Sequence, residues 1–362
     1  MQAKELVTVV LPTRNRPGNI AGQLRLFAKS NLNVIVADSS DADHAGEIRA
    51  AAGSGVKYLS YPPEIKFFDK LADVIAKVEA PFVVLVSDRK ITFPHAIESA
   101  FAFLQNHENY VSAQGYVIGF GVHGDDIDIN RVVFFTPTID DDDPLDRLYH
   151  LMRRYQSRQF SLFRLKPLLA AVSQARTVDG TMFQEVMFMN ALVLQGRVAR
   201  LQNIFTLQTV EQSFSPLRDI DPLYWFLDDP ESFFRHYLPY RRSLARFISE
   251  NGMTRFTMRH LDHALDTIHA VWLNYNFTPG VLNIAAQQLL DGKNPDLPHP
   301  RPPLPWRRIK WRDVTQSRNG GGRYIWRKSV LKAEPSSEIR ISRDEIKHVE
   351  RQLDIALDNA SR

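Results

Sequence analysis

The 362-residue chain contains no cysteine. That absence excludes a disulfide framework, a thiolate metal site and a cysteine nucleophile. It also makes a cytoplasmic location the expected one, because secreted chains usually carry cross-links. Long hydrophobic runs are missing as well: no apolar stretch reaches the roughly 20 residues that a membrane-spanning helix needs. The first apolar run stops at Pro12 and is not followed by the small-residue cleavage site of a signal peptide. A strong excess of one charge is lacking too. The formal net charge of +4 is too small to mark a nucleic-acid binder by itself, although basic residues crowd toward the C-terminus. No internal repeat is present.

What is present is a succession of short apolar runs separated by helix-period segments, the pattern of a mainly parallel sheet with helices on its faces. "LVTVVL" (6–11), "NVIVA" (33–37) and "FVVLV" (82–86) are apolar at nearly every position, as strands covered on both sides are. Phe68, Leu71, Ile75 and Val78 recur at helical spacing, as do Ile97, Phe101 and Leu104. "YVSAQGYVIGF" and "RVVFF" read as further strands, separated by a loop holding Asp125, Asp126 and Asp128. A helix over "DPLDRLYHLMRRY", a strand in "RQFSLFRL", a helix over 181–195 and a strand from Arg197 complete a first domain, 1–215.

Residues 216–293 read as a helical segment with breaks at Pro230, Pro239, Gly252 and Pro279. The remainder, 294–362, reads as a proline-rich basic arm followed by a short helix. Ser342 and Glu345 form a capping box for that helix, and Ile346, Val349, Leu353 and Leu357 give it one apolar side.

In open α/β sheets, ligands sit beyond the carboxyl ends of the strands. Here three strand ends carry polar groups: "PTRNRP" (12–17), "ADSSDAD" (37–43) and "SDRK" (87–90). Together, "VTVVLPTRNRP", "VIVADSS" and "FVVLVSD...FPHAIESAFAFL" resemble the nucleotide-binding half of inverting family-2 glycosyltransferases of the GT-A fold, in particular a bacterial branch whose first strand ends in P-T-R-N-R-P. "DRLYHLMRRYQSRQFSLFRLKPL" (146–168) and "GTMFQEVMFMNALVLQGRVARL" (180–201) are similar to that branch as well. The resemblance covers roughly residues 6–215. It implies a GT-A, Rossmann-like mixed sheet with helices on both faces. The implied activity is transfer of a sugar from a nucleotide-sugar donor to a glycan or lipid-linked acceptor.

The same resemblance assigns residues. Asp38 matches the acidic residue that reads the nucleotide base or ribose, a task suited to a carboxylate that accepts two hydrogen bonds; the plainer reading is that it caps a turn. Thr13 and Arg14 lie in the loop that cradles the nucleotide, and a guanidinium pairs with phosphate as a planar fork. Arg16 reads as a solvated surface charge. The family's acidic Asp-x-Asp triplet, which holds Mg²⁺ or Mn²⁺, aligns with Asp88, Arg89 and Lys90. One carboxylate beside two cations is a poor site for a hard divalent ion.

Three readings stay open here. Arg89 or Lys90 stands in for the metal and neutralises the leaving diphosphate; or the donor leaves with a single phosphate, as a CMP-sugar does; or the site is degenerate and the protein is a binding or scaffold partner of another protein. Glu185 matches the general base that takes the acceptor proton, with Asp179 in reserve; its alternative is a structural pair with a cation such as Arg164. The segment 207–215 carries no histidine where metal-using relatives have one, which agrees with a metal-independent or degenerate site. Asp262, Asp266 and His269 share a helical face that reads as solvated, and the Asp140–Asp143 run as an exposed loop. In "RPPLPWRRIKWR" (301–312), two tryptophans interleave with cations, a composition that suits peripheral contact with an anionic membrane face or a glycan; nucleic acid is not expected.

Overall fold

The computed structural model describes residues 6–30, 32–123, 126–134, 137–209, 229–276, 316–318, 324–327 and 341–357, with 222, 225–226, 290 and 292 besides. The arm at 301–312 and the segment at 210–221 lie outside the described residues.

Among the described residues, eleven strands form one sheet. β1 (Val7–Thr13), β2 (Asn33–Asp38), β3 (Lys57–Ser60) and β4 (Phe82–Leu85) run parallel in the order β4-β1-β2-β3. β5 (Lys90–Thr92) leaves this block and pairs antiparallel with β9 (Arg197–Thr209). β6 (Tyr110–His123) lies between β7 (Asp126–Phe134) and β8 (Leu162–Arg164), and β8 joins it to β4 by antiparallel pairing. β10 (Gln316–Arg318) and β11 (Tyr324–Arg327) extend the far edge beyond β7. The sheet is therefore mixed, and β3 and β5 are too short for an apolar alternation to mark them in the sequence. Asp126 and Asp128 belong to β7, and not to the loop expected there, because the strand opens on them directly.

Alternating residues of the central strands feed two cores. Val10, Ile35, Ala37, Val83 and Leu85 face one side, where α3 (Phe67–Ala76), α5 (Pro144–Arg153), α6 (Leu165–Ala175) and α7 (Thr181–Gln195) pack. Val9, Leu11, Val34, Val36, Val84 and Val86 face the other, covered by α1 (Pro17–Ala28), α2 (Ala42–Ala52), α4 (Pro94–Asn106) and α10 (Arg343–Leu357). This is why the strands read as apolar at every position.

The region expected to be a helical segment supplies α8 (Pro230–Glu250) and α9 (Met258–Asn276). Both join the first core, through Tyr240, Leu244, Leu261, Leu265 and Trp272 among others. Pro239 does not break α8 as expected; it sits inside a continuous 21-residue helix whose neighbours Tyr237 and Tyr240 are buried. Packing therefore offsets the roughly 3 kcal/mol that an interior proline costs. The face of α9 expected to be solvated is so only in part: Asp262 and Asp266 stay partly exposed, Asp266 accepting from Tyr237 and Arg241, but His269 is buried, with Nε2 2.6 Å from the Tyr240 hydroxyl.

The capping box of α10 forms only in part. Ser342 Oγ accepts from Glu345 N at 3.1 Å, but the Glu345 carboxylate turns away to accept from Ile204 N at 3.0 Å and to meet His95. Among the described residues, no helix is long and apolar enough to cross a membrane.

Candidate active site

The site is built where β1, β2 and β4 end. The register sets Thr13 beside Asp38 and Val10 beside Leu85, so the loops after all three strands open on one edge. The chain turns at Asn15, whose φ of 56° lies in the left-handed region that asparagine tolerates. Asn15 and Asp41 bond reciprocally, side-chain amide to carboxylate and backbone N–H to side-chain oxygen, which ties the first loop to the second.

Asp38 is buried and heavily engaged. Its Oδ1 accepts from Ser40 N at 2.8 Å and Ser40 Oγ at 2.5 Å, and its Oδ2 accepts from the Tyr58 hydroxyl at 2.6 Å. The bond to Ser40 N is the turn-capping role; one of the four lone-pair positions of a carboxylate is left for a ligand. Burial together with Asp38 pushes the Tyr58 hydroxyl up to about 12, so it remains a donor. Asp88 is also buried, and it accepts from Thr13 Oγ1 at 3.0 Å and from Arg16 Nη1 at 2.9 Å. Arg16 is thus no free surface charge: it reaches across the mouth of the site to Asp88.

Lys70 is the residue that the sequence reading missed. It lies on α3, 4% exposed, and its Nζ donates to Thr13 O at 2.9 Å and Ser39 Oγ at 2.7 Å. Burial pushes its ammonium down to about 8, while Asp38 and Asp88 pull the other way and exposed Arg14 adds to the fall. A signal was there: Lys70 is the one cation on a helix face shared with Phe67 and Val74 at i−3 and i+4.

Beyond this edge, β5 carries Lys90 toward α7. Its Nζ lies 5.1 Å from the centroid of the Phe160 ring. Burial pushes this ammonium also down to about 8, opposed by the nearby Glu185 carboxylate. Glu185, in the second turn of α7, accepts from the Tyr155 hydroxyl at 3.1 Å and from Ser157. Burial raises its carboxyl above the usual range, against those two hydroxyls and Lys90. The pairing with Arg164 considered from the sequence does not occur, because Arg164 donates to the carbonyls of Tyr110, Leu104 and His107.

The edge therefore brings together Thr13, Asp38 and Asp88, and a second group joins Lys90 to Glu185. Arg89 and Asp179 are not drawn in. Arg89 is exposed, and the Asp179 side chain is 82% exposed, 3.6 Å from Lys66. The donor set does not fit a hard divalent cation. Asp88 is the single carboxylate of its loop and is already bonded to Thr13 and Arg16, and a lysine stands where a second carboxylate would help. Among the described residues, no group of three or more His, Cys, Asp or Glu is arranged to hold a metal ion.

A solved structure of S. aureus TarS 1-349 shares this architecture, with a TM-score of 0.50 and 15% identity over 78% of this chain and 77% of its own. TarS 1-349 in complex with UDP-GlcNAc gives a TM-score of 0.52 and 16% identity over the same shares. TarS is a family-2 GT-A glycosyltransferase. The fold of this chain is GT-A. No family model matches the sequence, and no curated protein matches it. In the GT-A frame, the edge holding Asp38, Asp88 and Lys70 is the crevice at which open α/β sheets bind their ligands.

Proposed function

We propose that the protein is an inverting glycosyltransferase that moves a sugar from a nucleotide-sugar donor to a glycan or lipid-linked acceptor, without a metal. The observation that carries this reading is a half-buried cation and a half-buried carboxylate, Lys90 and Glu185, near each other beside the edge where β1, β2 and β4 end. The bound UDP-GlcNAc of the TarS complex supports a nucleotide sugar as donor. Asp38 and Thr13 hold the nucleoside, and Arg14 with Lys90 faces the phosphates. Glu185 takes the proton of the acceptor hydroxyl as its oxygen attacks the anomeric carbon from the face opposite the leaving group. The bond from that carbon to the phosphate oxygen breaks, its electron pair leaves with the nucleotide, and Lys90 neutralises the charge that develops.

A second reading has one observation in its favour: both oxygens of Asp88 lie within hydrogen-bond reach of Arg16, as expected of a strand end turned structural. In that case the protein is a non-catalytic partner of another protein.

Thermal unfolding against UDP, GDP, dTDP and CMP and their sugars, each with Mn²⁺ and with EDTA, tests both. A ligand that binds only the folded state raises the midpoint by mass action. A rise with one nucleotide that persists in EDTA, followed by turnover of its sugar, is the expected result. No rise with any nucleotide, together with a stable complex captured on another protein, refutes the transferase reading.

A further inference from the structure

The segment between α5 and β8 does more than connect them. Residues 155–160 contribute three contacts: the hydroxyls of Tyr155 and Ser157 to Glu185, and the ring of Phe160 beneath the Lys90 ammonium. Their backbone has no regular secondary structure, yet it is fixed from several sides. Buried Arg158 donates to Pro137 O, Ser161 Oγ donates to Arg158 O at 2.6 Å, and Gln114 Nε2 donates to Phe160 O at 2.6 Å. The Tyr155 ring meets the Trp272 ring of α9 at 6.3 Å, nearly edge-on.

Resting on the reading of Glu185 as general base, we propose that Tyr155 and Ser157 are positioning residues that keep this half-buried carboxylate ionised and aimed. A general base must be deprotonated before the acceptor arrives, and burial opposes that. Three groups face Glu185 against it: Tyr155 and Ser157 from the connecting segment, and Lys90 from β5. Lys90 is committed to the phosphates once the donor is bound, because their negative charge competes for it. The two hydroxyls are neutral, and burial raises Tyr155 well above its ordinary value, so each continues to donate with the donor in place. Trp272 and Tyr240 stand behind Tyr155, so α8 and α9, which lie outside the parallel strands, take part in setting the base.

The test is the titration of Glu185 in the full chain labelled with ¹³C-glutamate, its resonance assigned by Glu185→Gln, with UDP present and absent. Tyr155→Phe keeps the ring and its packing on Trp272 and removes only the donor; Ser157→Ala is the second variant and does not touch Trp272; Ser157→Thr restores the hydroxyl. The expected result is a midpoint about one pH unit higher in each of the first two variants and a return toward wild type in the third. In transfer assays, the acid limb of kcat/KM moves by the same amount while the donor KM stays within about twofold. An unchanged midpoint in both Tyr155→Phe and Ser157→Ala overturns the inference whether or not sugar is transferred. A raised midpoint in a protein that turns over no donor upholds the hold on Glu185 and refutes its role as a base.

Discussion

Replacing Lys90 with methionine is expected to make the protein more stable and a poorer binder of UDP. The side chain is largely out of water, over the Phe160 ring, and burial brings its ammonium from the ordinary 10.5 down to about 8. That gap corresponds to about 3 kcal/mol of stability lost by holding the charge in place. Methionine fills the same space without the charge. Part of the gain is returned, because Glu185 loses the cation that favours its ionised form. The net expectation at pH 7 is about 1–2 kcal/mol of added stability, or a melting midpoint about 1–3 °C higher for a chain of this size.

The pH dependence identifies the cause. Below about pH 8 Lys90 is protonated in both folded and unfolded states, and the penalty is whole. As the pH rises from about 8 toward 10.5, the folded protein sheds the proton before the unfolded chain does, and the penalty fades. The advantage of Lys90→Met therefore shrinks over that window; Lys70, common to both proteins, cancels in the difference. Calorimetric titration with UDP in EDTA at pH 7 is expected to show about 10- to 100-fold weaker binding, the scale of one charge-assisted contact. A variant no more stable than wild type at pH 7, or one that binds UDP equally well, refutes the assignment of Lys90 as a cation buried for the sake of an anionic ligand.

Two further outcomes concern α10. A Cβ at Gly22 on α1 would lie 2.8 Å from the backbone oxygen of Ala356, so Gly22→Ala, a change that ordinarily stabilises a helix, is expected to cost about 1–3 kcal/mol and to speed proteolysis after residue 340. Acid is expected to loosen the same helix, as seen by faster amide exchange over 343–357. Glu345 is held below its ordinary value, despite burial, by His95 and Ile204 N–H, and this stabilisation is lost as the pH falls through its folded pKa; burial also lowers His348, so a penalty grows as the pH falls below 6.5. Exchange rates over α10 that do not change between about pH 7.5 and about pH 3, after correction for intrinsic chemistry, would refute that coupling.

The frame of the fold was legible because its signals are local. β1, β2 and β4 are covered on both faces and so read as unbroken apolar runs, and α7 is apolar enough for its ends at Thr181 and Gln195 to match the expected 181–195. The positions of Asp38, Asp88 and Glu185 followed from the resemblance. Their partners did not follow, because each partner is brought in by the fold from elsewhere in the chain. Arg16 meets Asp88 from 72 residues away, and Lys70 meets Thr13 from 57. No local pattern separates a lysine that spans two strand ends from one that extends into solvent, except its place on an otherwise apolar helix face. Pro239 and the buried His269 misled for the same reason: their environment is set by α7, α8 and α9 packing together, not by their own neighbours.

The substitution at "SDRK" then has a physical meaning in the proposed reaction. A divalent cation arrives with the donor, so the empty protein need only keep carboxylates near one another. A lysine in that place is present at all times, and the fold bears its desolvation even when no donor is bound. Such a charge is retained only if it is partly compensated, and the partners of Lys90 include the face of Phe160 and the carboxylate of Glu185. Compensation by Glu185 joins the phosphate end of the site to the acceptor end, because whatever anion draws on Lys90 releases the carboxylate that must accept the proton. In the proposed reaction, a lysine that takes the place of a metal therefore also gives the proposed base a sense of whether the donor is in place.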